Sequence, residues 1–301
     1  MLQRASYDSV LATSLKAAWH LDDVFPLDRD LDFSRNFLPE SLARTAALTN
    51  LSTDEQRALN QIDAHQYLRM FAIVEEFIIP ALLDHSLTML RGEPEGLRAM
   101  LNFAGEEAKH IHMFDRFERA FVRQFPVECE MIGPSEAIGA EVLRHRPIAV
   151  GLTVLMFEWM SQVHYVGSIK DSGDIDPLFK SMLKHHWIEE AQHAKLDTLM
   201  IDAMRSGLDA GEVDAAIDDF LEIVDFFDAG LKAQAGLNLD ALERFSGRQL
   251  GDRQEIQAQQ HQAARWTYLG SGLTHRTFVA TLEEMSPQGA ARVAQAAAAF
   301  H

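Results

Sequence analysis

The chain has 301 residues, 47% hydrophobic and 24% charged, with a formal net charge of −18 and one cysteine. That length can bury one large core or two small ones, and the negative charge disfavours nucleic acid and anionic membrane surfaces, which would repel it. Cys129 alone excludes an intrachain disulfide and a thiolate-bound metal cluster, and it fits a reducing compartment.

Met1-Leu2-Gln3-Arg4 opens no long apolar run with a small-residue cleavage site, so no signal peptide is expected. The longest apolar stretches, Met70–Leu83 and Ile148–Met160, are short for a membrane span and broken by glutamate. The expectation is a soluble, cytoplasmic protein. Residues 1–52 read as an N-terminal arm, with a helix over Ser6–His20 and an extended segment over Asp22–Pro39 packed on the body. Ser52-Thr53-Asp54-Glu55 is a capping box that opens a long helix over 53–86. Pro80 lies inside it, removes a backbone donor, and predicts a kink or a local widening.

Arg91-Gly92-Glu93-Pro94 is a turn, and a second helix is predicted over 95–124. A crossover of residues 126–146 leads to a third helix over 147–169, with Pro147 in its first turn. A fourth is predicted over 177–205. Beyond it come helices over Gly211–Lys232, Asp240–Phe245 and Arg253–Glu284, and a terminal helix capped at Ser286-Pro287. No strand pattern stands out. The fold class is all-α: a four-helix bundle with additional N- and C-terminal helices, in a single domain of residues 1–301. The arm is 1–52, the bundle 53–205 and the accessory helices 206–301.

The chemistry is carried by the bundle. Glu107 and His110 form a Glu-x-x-His on the second helix, and Glu190 and His193 form another on the fourth. Residues three or four apart share one face of a helix. Each motif is preceded at the same interval of 32 residues by a glutamate in apolar surroundings, Glu75 and Glu158. Glu75 is preferred over its neighbour Glu76 because it shares the apolar face of Leu68, Phe71 and Ile78. The arrangement is built twice, from two helical hairpins. Burying that many ionisable groups unpaired is costly, so they read as metal ligands.

A bundle giving one Glu from each of two helices and Glu-x-x-His from each of two others is the pattern of ferritin-like di-iron proteins. Its four carboxylates balance the charge of two divalent ions. Iron is expected, and manganese is possible because the same donors accept it. Glu76, Glu106 and Glu189 lie about 100° from the apolar stripe and are read as solvated. His112 and His185 are read as flank histidines, and Tyr165 as core or pocket wall. Asp197, one turn beyond His193, is expected either to hydrogen-bond a ligand histidine or to be solvated.

His186 completes His-x-x-x-Glu-x-x-His and extends the set to seven: Glu75, Glu107, His110, Glu158, His186, Glu190 and His193. With Glu107-x-x-His110, Glu158 and His186-x-x-x-Glu190-x-x-His193, residues 53–205 resemble the p-aminobenzoate N-oxygenase family of di-iron enzymes, in which a histidine at the place of His186 is a seventh ligand. The resemblance implies an O2-dependent monooxygenase. Its di-iron site would form a peroxo-bridged di-ferric species and oxygenate an amine nitrogen. It also implies a small-molecule substrate, O2 and an external electron donor. A homodimer is expected because a long helix over Arg253–Glu284 would need a partner face.

Two other readings share the ligands: a di-iron C-hydroxylase or desaturase, and a ferroxidase or peroxide scavenger. Storage proteins of this class are shorter, and one cysteine cannot build a scavenger's second iron site. An oxygenase predicts an apolar cavity beside the metals, walled by residues such as Phe103, Gly151, Val154, Leu155 and Tyr165. A long narrow tunnel would suit an acyl chain; a short wide cavity would suit an aromatic ring.

Overall fold

The computed structural model describes residues 5–26 and 29–300, so Met1–Arg4 lie outside the described residues. Among these the chain is helical, with one isolated bridge between Asn36 and Ile175. Helix α1 (Tyr7–Ala17) starts at a capping box in which Ser6 and Ser9 bond reciprocally. The arm that follows is pinned by Asn60, whose side chain accepts from the Phe37 and Leu38 amides and donates to the Leu38 carbonyl. Its Phe37 is fully buried and stacks on Phe179 at 5.6 Å between ring centroids.

Four long helices form the body. The Ser52–Glu55 capping box begins α2 (Thr53–Leu87), and α3 (Pro94–Gln124) packs antiparallel to it after a short turn. A crossover containing α4 (Ser135–Leu143) leads to α5 (Pro147–His164) and its hairpin partner α6 (Pro177–Arg205). Asp176 caps α6 by accepting from the Phe179 amide. No described helix is long and apolar enough to cross a membrane.

Three local expectations are corrected. Pro80 sits on an exposed face of α2, which stays α-helical from Thr53 to Leu87. The widened turns occur instead at Tyr165–Ile169, directly after α5, and at Trp266–Gly270. The segments Gly211–Lys232 and Asp240–Phe245 belong to one helix, α7 (Ala210–Ser246). Buried amides interrupt its apolar period. Gln234 accepts from the Ile132 amide and donates to the Glu130 carbonyl, and Asn238 donates to Asp63 and Gln66.

The third correction concerns Arg253–Glu284, which is divided. Helix α8 (Arg253–Arg265) passes through the widened turn to a short helical piece, Ser271–Leu273, and the chain restarts at α9 (Arg276–Met285). The break is tertiary in origin. A Cβ at Gly272 would stand 2.7 Å from the Met156 carbonyl oxygen, so the short piece rides directly on α5 because glycine is there. The His275 side chain then caps α9 by accepting from the Thr277 amide. Ser286 caps the last helix, α10 (Pro287–Ala297), through the Gly289 amide.

Candidate metal centre

Each long helix turns a carboxylate inward, and α3 and α6 add imidazoles one turn on. Glu75, Glu107, His110, Glu158, His186, Glu190 and His193 are all buried, with no more than 4% exposure. Glu76 lies on the surface, as do Pro80 and His112. His186 Nε2 is 2.9 Å from Glu75 Oε1 and 2.8 Å from Glu190 Oε1. His110 Nδ1 is 3.1 Å from Glu190 Oε1, and His193 Nδ1 is 2.9 Å from Glu107 Oε1 and 3.1 Å from Glu190 Oε2.

Six of the seven fall into two overlapping donor groups. One is Glu75, His110, His186 and Glu190; the other is Glu107, His110, Glu190 and His193. Glu158 is buried in the same space but belongs to neither group. Its carboxyl is raised well above the ordinary value, by burial first and the Glu190 carboxylate second.

The outer faces of two histidines are held by residues read from the sequence as solvated. His110 Nε2 is 2.8 Å from Glu189 Oε2, and His193 Nε2 is 3.0 Å from Glu106 Oε2. Both glutamates are buried, which corrects the reading of Glu106 and Glu189 as solvated. The contacts cross the bundle, so each hairpin orients the other's histidine. Lys109 pairs with Glu189 and lies 4.0 Å over the Trp19 ring, and Ser14 donates to Glu106. The N-terminal segment thus closes the shell. A signal for these residues exists: Glu-Glu-Ala-x-His occurs twice, at 106–110 and 189–193. His185 bonds the Ser181 carbonyl and stays on the flank.

Asp197 takes neither expected place. It is fully buried, and neither carboxylate oxygen has a hydrogen-bond partner among the described residues. Burial raises its carboxyl well above the ordinary aspartate value. The expected cavity wall also needs correction. Phe103 stacks on His193 at 4.0 Å, Tyr165 stacks on Trp187 at 4.5 Å, and Leu155 is fully buried in packing. Of the five wall residues named, Gly151 and Val154 line a cavity.

Whether these groups suit a metal pair is a question of charge. Burial alone would lower the histidines, but the facing carboxylates outweigh it. His110 and His193 are held well above the ordinary imidazole value, and His186 is raised to about 9. Glu190, despite its burial, is held well below its ordinary value by His186 and His193. The cluster therefore draws in positive charge as protons. Two divalent cations would bring that charge to the same atoms and release those protons. Glu75 Oε2, both Glu107 oxygens, His110 Nδ1 and Glu190 Oε1 are buried and, despite ion-pair neighbours for several of them, make no well-aligned hydrogen bond, as cation donors would be. The set fits a pair of metal ions.

A ferritin-like bundle with this cluster at its centre defines a non-haem di-iron oxidoreductase. The sequence pattern of p-aminobenzoate N-oxygenase AurF matches residues 3–211, and the chain belongs to that family. No curated protein matches it. Among solved structures it is similar to an R2-like ligand-binding oxidase variant with an anaerobically reconstituted Mn/Fe cofactor. The identity is 15%, the TM-score 0.41, and the match covers 88% of this chain and 93% of that one.

Proposed function

We propose that the protein is an O2-dependent N-oxygenase acting on an aryl amine, with two irons held by Glu75, Glu107, His110, Glu158, His186, Glu190 and His193. The observation that carries this reading is His186. It brings a third imidazole within 2.9 Å of Glu75 and 2.8 Å of Glu190, in a member of an N-oxygenase family. When bound, the irons supply the electrons and Lewis acidity for using dioxygen.

The chain does the rest. Glu189 and Glu106 accept Nε2–H from His110 and His193, which leaves Nδ1 of each ring facing inward as a lone pair. His186 presents Nε2 instead. Phe71 and Phe114 stand edge-on to the His186 ring at 4.9 and 5.2 Å and keep water from it. The reading includes an external electron donor and a homodimeric, cytoplasmic protein.

The test is direct. Iron-loaded, reduced protein is mixed with oxygen and a panel of arylamines, and products are identified by mass spectrometry. Hydroxylamine and nitro products support the reading. Ring or side-chain hydroxylation with the nitrogen untouched would replace it with a C-hydroxylase.

A further inference from the structure

A cavity of about 280 Å³ lies at one end of the cluster, between α2, α5 and α6. Ile78 lies one turn after Glu75 on α2, and Val154 one turn before Glu158 on α5; both line it. On α6 its wall is Met200 and Met204, which follow Asp197 on the same stripe. The cavity therefore begins roughly 4.5–6 Å along the bundle from two of the carboxylates, at about 1.5 Å rise per residue.

The internal repeat shows that this space is particular to one end. The offset that carries Glu75 to Glu158 and Glu107 to Glu190 also carries Leu68 to Gly151, Phe71 to Val154, Phe117 to Met200 and Phe121 to Met204. At the opposite end the larger residues fill the bundle, and the arm adds Phe37 against Phe117, Phe121 and Phe179. Glycine, valine and two methionines stand in their places here. Small and flexible side chains leave room.

The wall also carries a chemical preference. No lysine or arginine lines the cavity, and Asp84 is at its rim. Its other polar lining residues are Thr88, whose hydroxyl donates to the His85 carbonyl, and the imidazoles of His85 and His145. His85 Nε2 has no hydrogen-bond partner, and His145 Nε2 has only the Glu222 carboxylate, at 3.5 Å. His145 Nδ1 is occupied by the Glu141 and Val142 carbonyls. A carboxylate entering this cavity would lose water, meet no lysine or arginine, and face the Asp84 carboxylate.

We infer that this cavity holds the body of the substrate, and that the substrate is a compact, uncharged arylamine rather than one bearing a carboxylate such as p-aminobenzoate. The volume lies just below the about 300–1,000 Å³ usual for ligand sites, which suits one ring with short substituents better than a long chain. The amine part of the inference rests on the N-oxygenase reading; the cavity and its charge preference do not.

The experiment is binding without turnover. Iron-loaded protein under nitrogen is titrated by calorimetry with p-toluidine and with p-aminobenzoate. The expected result is measurable p-toluidine binding and at least about ten-fold weaker p-aminobenzoate binding, the size of effect that one missing charge partner produces. Gly151→Leu and, at the outer wall, Met204→Trp should each weaken p-toluidine about ten-fold or more, with iron content unchanged. Equal binding of the two ligands, no binding of p-toluidine, or wild-type binding by both variants would overturn the inference. An amine that binds in the cavity and then survives oxygen unoxidised supports the cavity and sinks the N-oxygenase reading.

Discussion

The two hairpins repeat each other at four positions in and around the cluster and differ in two that matter. Glu75, Glu107 and His110 map onto Glu158, Glu190 and His193, and Glu106 maps onto Glu189. The same offset places His186 and Asp197 of the second hairpin where the first has Phe103 and Phe114. Those phenylalanines are not idle: Phe103 stacks on His193, and Phe114 packs against His186. His110 and Glu190 are common to both donor groups, so one side adds Glu75 and His186 and the other adds Glu107 and His193, the latter backed by an aromatic face. A symmetric duplication would bind two metals equally. This one would give two metals different donors and sets the cavity of about 280 Å³ beside one end of the cluster, and the tests below ask how much of the function lies in that difference.

Two residues, His110 and Glu190, are shared by both donor groups, and the largest effect should come from the carboxylate. Glu190→Ala removes a carboxylate that lies within 3.1 Å of all three histidines. Loss of a mere outer partner typically costs about 10–100-fold in metal affinity or activity, so this variant should lose at least about 100-fold. Iron per chain after loading and desalting measures it; two irons retained at wild-type affinity would show that Glu190 is not a shared ligand.

Next is the substitution that makes the second hairpin imitate the first. His186→Phe should keep iron bound through the remaining donors and lower amine oxygenation about 10–100-fold, taking the usual cost of perturbing a metal's surroundings as a guide. Iron content and product yield are read on one sample. An unchanged yield would mean that the asymmetry at His186 has no catalytic consequence, and the third imidazole would then be structural.

The crossed glutamates sharpen the comparison on its symmetric side. Glu106→Leu and Glu189→Leu should each weaken metal binding by about 10-fold, near the low end for outer-shell partners. Glu189→Leu should be the worse of the two, because it also strands Lys109, whose ammonium bonds Glu189 beneath Trp19. If Glu106→Leu proves the more damaging, the Lys109 pair is not what sets the order.

These contrasts separate what the sequence shows from what only packing decides. The four bundle helices and the seven inward residues are legible because helical period places side chains at fixed angles, and unpaired buried charge has few explanations. Glu106 and Glu189 escape the same rule. They lie off the apolar stripe, and their burial comes from the opposing hairpin, from Ser14 and from Lys109, which are distant in sequence. Asp197, by contrast, lies on the inward stripe one turn beyond His193 and is buried with it. The cavity is hidden for another reason: it is an absence of volume shared among three helices, visible in the chain only once Gly151, Val154, Met200 and Met204 are aligned with their bulky counterparts. The break in Arg253–Glu284 depends on Gly272 meeting the Met156 backbone, a contact that no local pattern records.

The closed end supplies the smallest and most local test. There Tyr67 and His164 occupy the positions that Val150 and Ala81 occupy beside the cavity. The Tyr67 hydroxyl lies 2.7 Å from His164 Nδ1, and His164 Nε2 lies 3.0 Å from Ser271 Oγ. Burial lowers the His164 pKa to about 3, so the folded protein keeps this ring neutral. A histidine whose folded pKa is depressed contributes stability that is complete above its unfolded value of about 6.5 and is drawn down as pH falls toward about 3. His164→Phe should cost about 1–3 kcal/mol at pH 7.5, because it strands the Tyr67 hydroxyl and removes one partner of Ser271, whose hydroxyl keeps the Thr267 carbonyl. It should also remove a group that resists protonation. The stability gap between variant and wild type, measured by denaturant unfolding, should therefore narrow between pH 6.5 and pH 4.5. A gap that stays constant across that range would mean the closed end admits the proton, and hence water, as readily as the open one.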